Sequence, residues 1–136
     1  MKIVCDSNII LSALVFGGLP KEIMDTARDG KIHVYISPAI VVEVARILST
    51  KFHWSRHDVE RVVRNLVESY HVIYPKRNIT EIKNDPTDNA ILACALEANA
   101  DCIVTGDKKH LLPKKVFRRI PILSPAQFLK EKIYTK

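Results

Sequence analysis

The chain lacks a long apolar run and has few cysteines, and these absences exclude several classes of protein. No stretch reaches the roughly 18 apolar residues that a membrane-spanning helix needs. The first residues lead directly into a predicted strand, without the charged segment, apolar segment and cleavage site of a secretion leader. The three cysteines have no Cys-x-x-Cys spacing, which indicates buried reduced thiols rather than a disulfide framework. We therefore expect a cytoplasmic protein with no membrane partner.

The composition indicates one folded domain with a basic surface. The 136 residues suit a single domain over 1–136, and a hydrophobic content of 47% argues against disorder. No repeat, low-complexity segment or linker interrupts the chain. The formal net charge of +6 favours a polyanionic partner held by lysine and arginine, with a basic surface that has no such partner as the alternative.

Short apolar segments alternate with helical patterns along the chain. The predicted strands lie at 2–5, 34–36, 72–74, 102–104 and 120–123. Predicted helices fill the spaces between them, and a last helix reaches about residue 133, in a basic tail (130–136) that we expect to fray. This alternation predicts an α/β fold with a mainly parallel sheet.

Four acidic residues occur close to the ends of predicted strands or the starts of helices. Asp6 follows the first strand, Asp107 follows the fourth, and Glu43 and Asp88 lie in helices. Because the carboxyl ends of parallel strands line the ligand crevice of such a sheet, we expect these carboxylates to converge. A hard divalent cation such as Mg²⁺ or Mn²⁺ would relieve their repulsion. The pattern predicts a metal-dependent enzyme with an anionic substrate, although each acid alone could be an ordinary turn, cap or surface residue.

Polar neighbours of these acids are candidates for supporting roles. Asn8 and Thr105 could bond a carboxylate or a cation-bound water from an outer position. Asp85 is either a further site acid or the turn residue before Pro86. His110 could also approach the site, but a surface or packing role is the favoured interpretation.

Four segments, in a fixed order along the chain, carry a family resemblance. They are Ile3-Val4-Cys5-Asp6-Ser7-Asn8, Ser37-Pro38 through Glu43, Asp85-Pro86-Thr87-Asp88-Asn89 and Ile103-Val104-Thr105-Gly106-Asp107. In order and spacing they resemble the PIN-domain family, in particular the small prokaryotic members that include toxins of toxin–antitoxin pairs. The resemblance extends over 1–129. Its one mild departure is Ser7, where the family usually has threonine.

The resemblance implies a three-layer α/β/α sandwich with a central, mainly parallel sheet of about five strands. It also implies a Mg²⁺- or Mn²⁺-dependent endoribonuclease that acts on RNA, forms a homodimer and is blocked by a cognate antitoxin protein. Carried over by position, the catalytic and metal-binding acids are Asp6, Glu43, Asp88 and Asp107. Asn8 and Thr105 match the adjoining polar positions.

Basic residues near the predicted site are candidates for holding RNA. Lys108 and Lys109 directly follow the last site acid, and Arg46 lies one helical turn after Glu43. Further candidates on the rim of the groove are Lys51, Lys114, Lys115, Arg118 and Arg119. Any one of these could instead be a solvated surface charge.

Other interpretations of the same residues remain. A haloacid-dehalogenase-type phosphatase also has an aspartate after its first strand, but its second aspartate, two residues on, is Asn8 here. A phospho-acceptor receiver domain places its acids after different strands. A catalytically silent RNA-binding or scaffold PIN domain, and an RNA-processing nuclease that is not a toxin, both stay open.

Overall fold

The computed structural model describes residues 1–82 and 85–134. Lys83 and Asn84 lie outside the described residues. They belong to the polar stretch of the sequence that precedes Asp85. Thr135 and Lys136, at the end of the tail expected to fray, lie outside them as well.

Within the described residues, six strands form one sheet. They are β1 (Lys2–Cys5), β2 (His33–Ile36), β3 (His71–Val72), β4 (Cys102–Val104), β5 (Val116–Phe117) and β6 (Ile120–Leu123). Their spatial order is β3-β2-β1-β4-β6-β5, and every neighbouring pair is parallel except β5 with β6. The predicted α/β fold with a mainly parallel sheet is confirmed.

Helices cover the sheet and complete the expected α/β/α sandwich. They are α1 (Ser7–Val15), α2 (Gly18–Arg28), α3 (Pro38–Thr50), α4 (Arg56–Ser69), α5 (Pro86–Ala98) and α6 (Pro125–Phe128). A 3₁₀ turn (Leu112–Lys114) precedes β5, and a π-helical turn (Leu129–Ile133) extends α6. Helix α5 packs on β1 and β2, whereas α6 packs on β6 and α2. Across 1–82 and 85–134, none of the helices is long and apolar enough to cross a membrane.

The sheet has one strand more than the five expected from the sequence. The extra strand, β5, pairs with β6 through a hairpin whose turn residues, Arg118 and Arg119, have φ angles of 45° and 72°. Two-residue hairpin turns with positive φ at both positions usually contain Asn or Gly. An Arg-Arg pair therefore gives no turn signal. The third strand also ends earlier than expected, at Val72.

Strands β1 and β4 bring the ends of two distant segments together. Val4 and Val104 are fully buried in the centre of the sheet. Starting from β1, the chain builds one side of the sheet through β2 and β3, and then crosses to β4 on the other side. The boundary between β1 and β4 is therefore the switch point at which open α/β sheets form their ligand crevice. Asp6 and Thr105 directly follow these two strands.

The three cysteines are structural. Cys5, Cys94 and Cys102 are buried and form no disulfide bond, which confirms the prediction of buried thiols. Burial raises the pKa of Cys94 and of Cys102 to about 12. Since the thiolate is the nucleophilic form, neither of these two cysteines is activated for catalysis.

Candidate active site

Asp6 and Thr105 form the buried floor of the site. Asp6 is 5% exposed and caps α1, because its Oδ1 accepts a hydrogen bond from the backbone N–H of Ile9 at 2.9 Å. The hydroxyl of Thr105 donates a hydrogen bond to the other carboxylate oxygen. Burial raises the pKa of Asp6, and the hydrogen bonds from Thr105 and Ile9 oppose that rise. The floor therefore holds the Asp6 carboxylate in one orientation.

Thr105 also connects the floor to Asp107. Its Oγ1 accepts a hydrogen bond from the backbone N–H of Asp107 at 3.0 Å. The backbone N–H of Thr105 in turn donates to the carbonyl oxygen of Leu123 on β6, at 3.0 Å. Thr105, which is fully buried, thus links two of the predicted site acids through its hydroxyl and is anchored to the sheet through its backbone.

The loop after β4 wraps around the carboxylate of Asp107. Three backbone N–H groups donate to this carboxylate, those of Lys109 (3.0 Å), His110 (3.3 Å) and Leu111 (3.3 Å). Burial works against ionisation, but hydrogen bonds from Asp88 and from these backbone groups outweigh it and lower the pKa of Asp107. Asp107 is therefore held as a carboxylate.

Asp85, Asp88 and His110 form the rim of the site, where both aspartates are partly buried and His110 is exposed. The Nδ1 atom of His110 lies 2.9 Å from Oδ2 of Asp88 and 3.1 Å from Oδ2 of Asp85. It also lies 3.8 Å from Oδ2 of Asp107. Asp85 is the N-cap of α5 and accepts the backbone N–H of Asp88 at 3.0 Å. The imidazole nitrogen of His110 therefore lies close to the two carboxylates of the rim and within 3.8 Å of the carboxylate of Asp107.

The charges of the rim affect one another strongly. Burial raises the pKa of Asp88 to about 7, with a further rise from Asp107 and Asp85 and an opposing contribution from His110. The hydrogen bond with Asp88 raises the pKa of His110. His110 thus contacts the site acids, which is the alternative that the sequence disfavoured.

Among the described residues, Glu43 on α3 forms no hydrogen bond or ion pair with the other site acids. Its carboxylate is bound twice by Arg46, with Nη2 at 2.8 Å from Oε1 and Nε at 3.3 Å from Oε2. Together with Ser7 and Thr87, each the chain neighbour of a site aspartate, Glu43 lines a cavity of about 180 Å³. Glu43 therefore borders the site through the neighbours of the aspartates.

The donor set fits a hard divalent cation. Carboxylate oxygens are the preferred ligands of Mg²⁺ and Mn²⁺. Each bonded oxygen of Asp6 keeps a second lone pair for a further partner. Among the described residues, the hydroxyl oxygen of Ser7 is buried without a hydrogen-bond partner, and Ser7 lines the cavity beside Glu43. A hydrated cation in this region would give that oxygen a partner.

Comparison with known proteins identifies the family. A family model for the PIN domain matches residues 2–109. This chain belongs to the PIN-domain family. The uncharacterized protein MJ1680 of Methanocaldococcus jannaschii is 30% identical over 144 aligned residues, which cover 96% of this chain and 91% of that protein.

Solved structures with a similar fold include two VapBC proteins and an endonuclease. VapBC2 from Rickettsia felis, bound to a DNA fragment from its promoter, has a TM-score of 0.66 at 14% identity, covering 91% of this PIN domain and 98% of that chain. VapBC-1 from nontypeable Haemophilus influenzae has a TM-score of 0.65 at 19% identity, covering 93% and 99%. The PIN domain endonuclease Utp24 has a TM-score of 0.56 at 19% identity, covering 90% and 84%. These likenesses establish the fold, and family membership supports a nuclease function.

The remaining predicted residues of this PIN domain are two lysines on the loop of Asp107 and Asn8 on α1. Lys108 and Lys109 are exposed on the loop that holds Asp107, and within the described part of the chain their side chains have no partner. Asn8 is exposed and lines a separate groove of about 370 Å³ beside Arg46 and Phe52. The supporting role of Asn8 stays a prediction, as do the roles of the two lysines.

Proposed function

We propose that this PIN domain is a Mg²⁺- or Mn²⁺-dependent endoribonuclease that hydrolyses RNA phosphodiester bonds. The observation that carries the proposal is the convergence of Asp6, Asp88 and Asp107 at the switch point of the parallel sheet. Carboxylates that are linked through shared hydrogen-bond partners in this way need a counter-charge to stay ionised together. A divalent cation supplies that charge, and a polyanionic substrate suits the net charge of +6 on the chain.

The chain's own residues would hold and orient the reacting groups. Asp6, Glu43, Asp88 and Asp107 would hold the cation, which when bound supplies neutralisation of the phosphate charge and activation of a water. Thr105 keeps two of these acids at a fixed separation through its hydroxyl. Because backbone N–H groups already hold the carboxylates of Asp6 and Asp107, these two ligands need little ordering when substrate binds. No side chain acts as a covalent nucleophile in this proposal.

Lysine and arginine side chains beside the acids would hold the RNA backbone. Lys108 and Lys109 are the strongest candidates, since they are exposed immediately after Asp107. Arg46 is bound to Glu43, so an RNA contact by Arg46 requires it to share or release this ion pair. Contacts of this kind bind phosphate whatever the base sequence.

We further propose that the protein is a cytoplasmic homodimer and the toxin of a toxin–antitoxin pair. The similarity to two VapBC proteins supports this role. An RNA-processing nuclease that is not a toxin is the second candidate, supported by the similarity to the endonuclease Utp24. Growth arrest on expression of the wild type, absent with Asp107→Asn, is expected for a toxin and not for a processing nuclease.

RNA cleavage after chelation tests the proposed function. The protein is stripped of metal, given Mg²⁺ or Mn²⁺, and incubated with a panel of single-stranded and structured RNAs. We expect cutting that requires the cation and is lost in Asp107→Asn. The control is Asp29→Asn, because Asp29 is an exposed aspartate at the end of α2. Equal cutting by both variants would identify a contaminant and contradict the assignment of the site.

A further inference from the structure

We infer that His110 is itself a ligand of the divalent cation, so that this site prefers Mn²⁺ and similar imidazole-binding ions over Mg²⁺. The inference rests on the proposed function, because it concerns the same acidic site. It adds a nitrogen ligand to a set of carboxylates that the sequence predicted to be purely oxygen-donating.

The separations around the imidazole are those of neighbouring ligands on one ion. Two ligand atoms at about 2.1 Å from an octahedral ion, and at right angles to each other, lie about 3.0 Å apart. The Nδ1 atom of His110 lies 2.9 Å from Asp88 and 3.1 Å from Asp85. One ligand atom from each of these three residues lies within 4.8 Å of the other two. The three ligand atoms therefore lie close enough together to share one ion.

The backbone fixes His110 in this position without help from its side chain. The N–H groups of His110 and Leu111 both donate to the carboxylate of Asp107, at 3.3 Å each. Leu111 is fully buried and ties this loop to the core. On the opposite side, Asp85 is fixed by capping α5 through the backbone N–H of Asp88. The three ligands of the rim are therefore presented by two anchored segments.

An imidazole ligand changes which ions the site holds well. Mg²⁺ favours oxygen ligands and keeps several waters, whereas imidazole suits transition metals. Mn²⁺ and Co²⁺ would gain from His110, and Co²⁺ would gain more because affinity for nitrogen-containing sites rises in that order. The contrasting interpretation is that protonated His110 acts as an internal counter-cation, which a metal ion must displace.

Metal binding in the absence of RNA separates the two interpretations. The chelator-treated protein is titrated with Mn²⁺, Co²⁺ and Mg²⁺ by calorimetry, as wild type, His110→Ala and His110→Gln. The control is His57→Ala, since His57 is exposed on α4. Circular dichroism verifies that each variant is folded, which we expect because the imidazole of His110 is 43% exposed.

The inference predicts that both His110 variants bind Mn²⁺ and Co²⁺ about 10- to 100-fold more weakly, with a much smaller change for Mg²⁺. The visible absorption of bound Co²⁺ should also change, because a nitrogen ligand is lost. His57→Ala should bind like the wild type.

Unchanged or tighter Mn²⁺ binding by the His110 variants would overturn the inference, and tighter binding would identify His110 as a counter-cation. Absence of Mn²⁺ binding by the wild type would overturn it too. An RNA cleavage assay tests the proposed function separately. A wild type that binds Mn²⁺ through His110 without cutting any RNA contradicts the function alone. Metal-dependent cutting together with unaltered metal binding in the His110 variants contradicts the inference alone.

Discussion

The floor and the rim of the acidic site are held in place in different ways. In the floor, Asp6 and Thr105 are 5% and 0% exposed, and their bonds run to the backbone at the strand ends and to each other. In the rim, the side chains of Asp88 and His110 are 13% and 43% exposed and contact each other across the surface. The floor is part of the folded core, whereas the rim depends on charges that water and ions can reach.

This difference predicts which residues can be substituted without loss of folding. A floor residue supports folding and the proposed chemistry together, because its polar atoms are buried and must be satisfied. The rim side chains of Asp88 and His110 can be replaced with little effect on folding but with a direct effect on the ions that the site holds.

Asp6→Asn should nearly abolish RNA cleavage while leaving the fold intact. Replacing even an outer partner of a metal ligand typically lowers activity about 10- to 100-fold, so loss of a floor carboxylate should exceed about 100-fold. The variant should fold, because asparagine caps helices about as well as aspartate. Single-turnover cleavage with saturating Mn²⁺ measures the effect, with Asp29→Asn as the control. Activity close to that of the wild type would remove Asp6 from the site.

Thr105→Val should damage both stability and cleavage, whereas Thr105→Ser should be close to the wild type. Valine keeps the shape of threonine but leaves the Asp6 carboxylate and the Asp107 N–H without the hydroxyl that now bonds them. We expect a loss of about 1–3 kcal/mol in the free energy of unfolding and about 10- to 100-fold in cleavage rate. Urea unfolding and cleavage assays measure the two effects. If valine and serine behave alike, the hydroxyl has no such role.

Asp85→Ala and Asp85→Asn should separate the two roles of this rim residue. Alanine removes the N-cap of α5 and should lower the free energy of unfolding by about 1 kcal/mol. Asparagine preserves the cap and removes only the charge. Both variants should weaken Mn²⁺ binding if Asp85 faces the cation, as measured by calorimetry and urea unfolding. Normal Mn²⁺ binding by both would restrict Asp85 to its capping role.

Replacement of Lys108 and Lys109 by alanine should give the smallest effect, one that is seen in RNA binding. Each phosphate contact contributes about 0.7 to the slope of log affinity against log salt for single-stranded nucleic acid. The double lysine variant is made in Asp107→Asn protein. We expect it to reduce the magnitude of that slope by about 1.4, because two phosphate contacts are removed. The control is Lys31→Ala. Lys31 is exposed just before β2, at the end of the sheet opposite the carboxyl ends of the parallel strands. An unchanged slope would place the RNA elsewhere.

The fold and the floor followed from local patterns in the sequence. The apolar segments that end at Asp6 and at Thr105 predict strands, and parallel strands must bring their carboxyl ends to one edge. The floor residues therefore needed no long-range information beyond the alternation of strands and helices. The hairpin of β5 was not predicted from the sequence, because its Arg118-Arg119 turn lacks the usual turn residues.

The contact of His110 with the rim acids could not be predicted in the same way. His110 and Asp88 are 22 residues apart and meet only because backbone N–H groups fold the loop after β4 around Asp107. No periodicity or motif in the sequence predicts such a loop conformation. The spacing of three residues between Asp107 and His110 was a usable signal, since a tight turn brings such positions together. The pairing of Glu43 with Arg46 was similarly visible as a helical i, i+3 spacing.

The position of bound Mn²⁺ tests the central claim most directly. Crystals of the protein grown or soaked with Mn²⁺ would locate the ion by its anomalous scattering. We expect a peak between the floor and the rim, within coordination distance of Asp88, Asp107 and His110. A peak at a distant surface site, or no peak at a Mn²⁺ concentration that saturates binding in solution, would contradict the account.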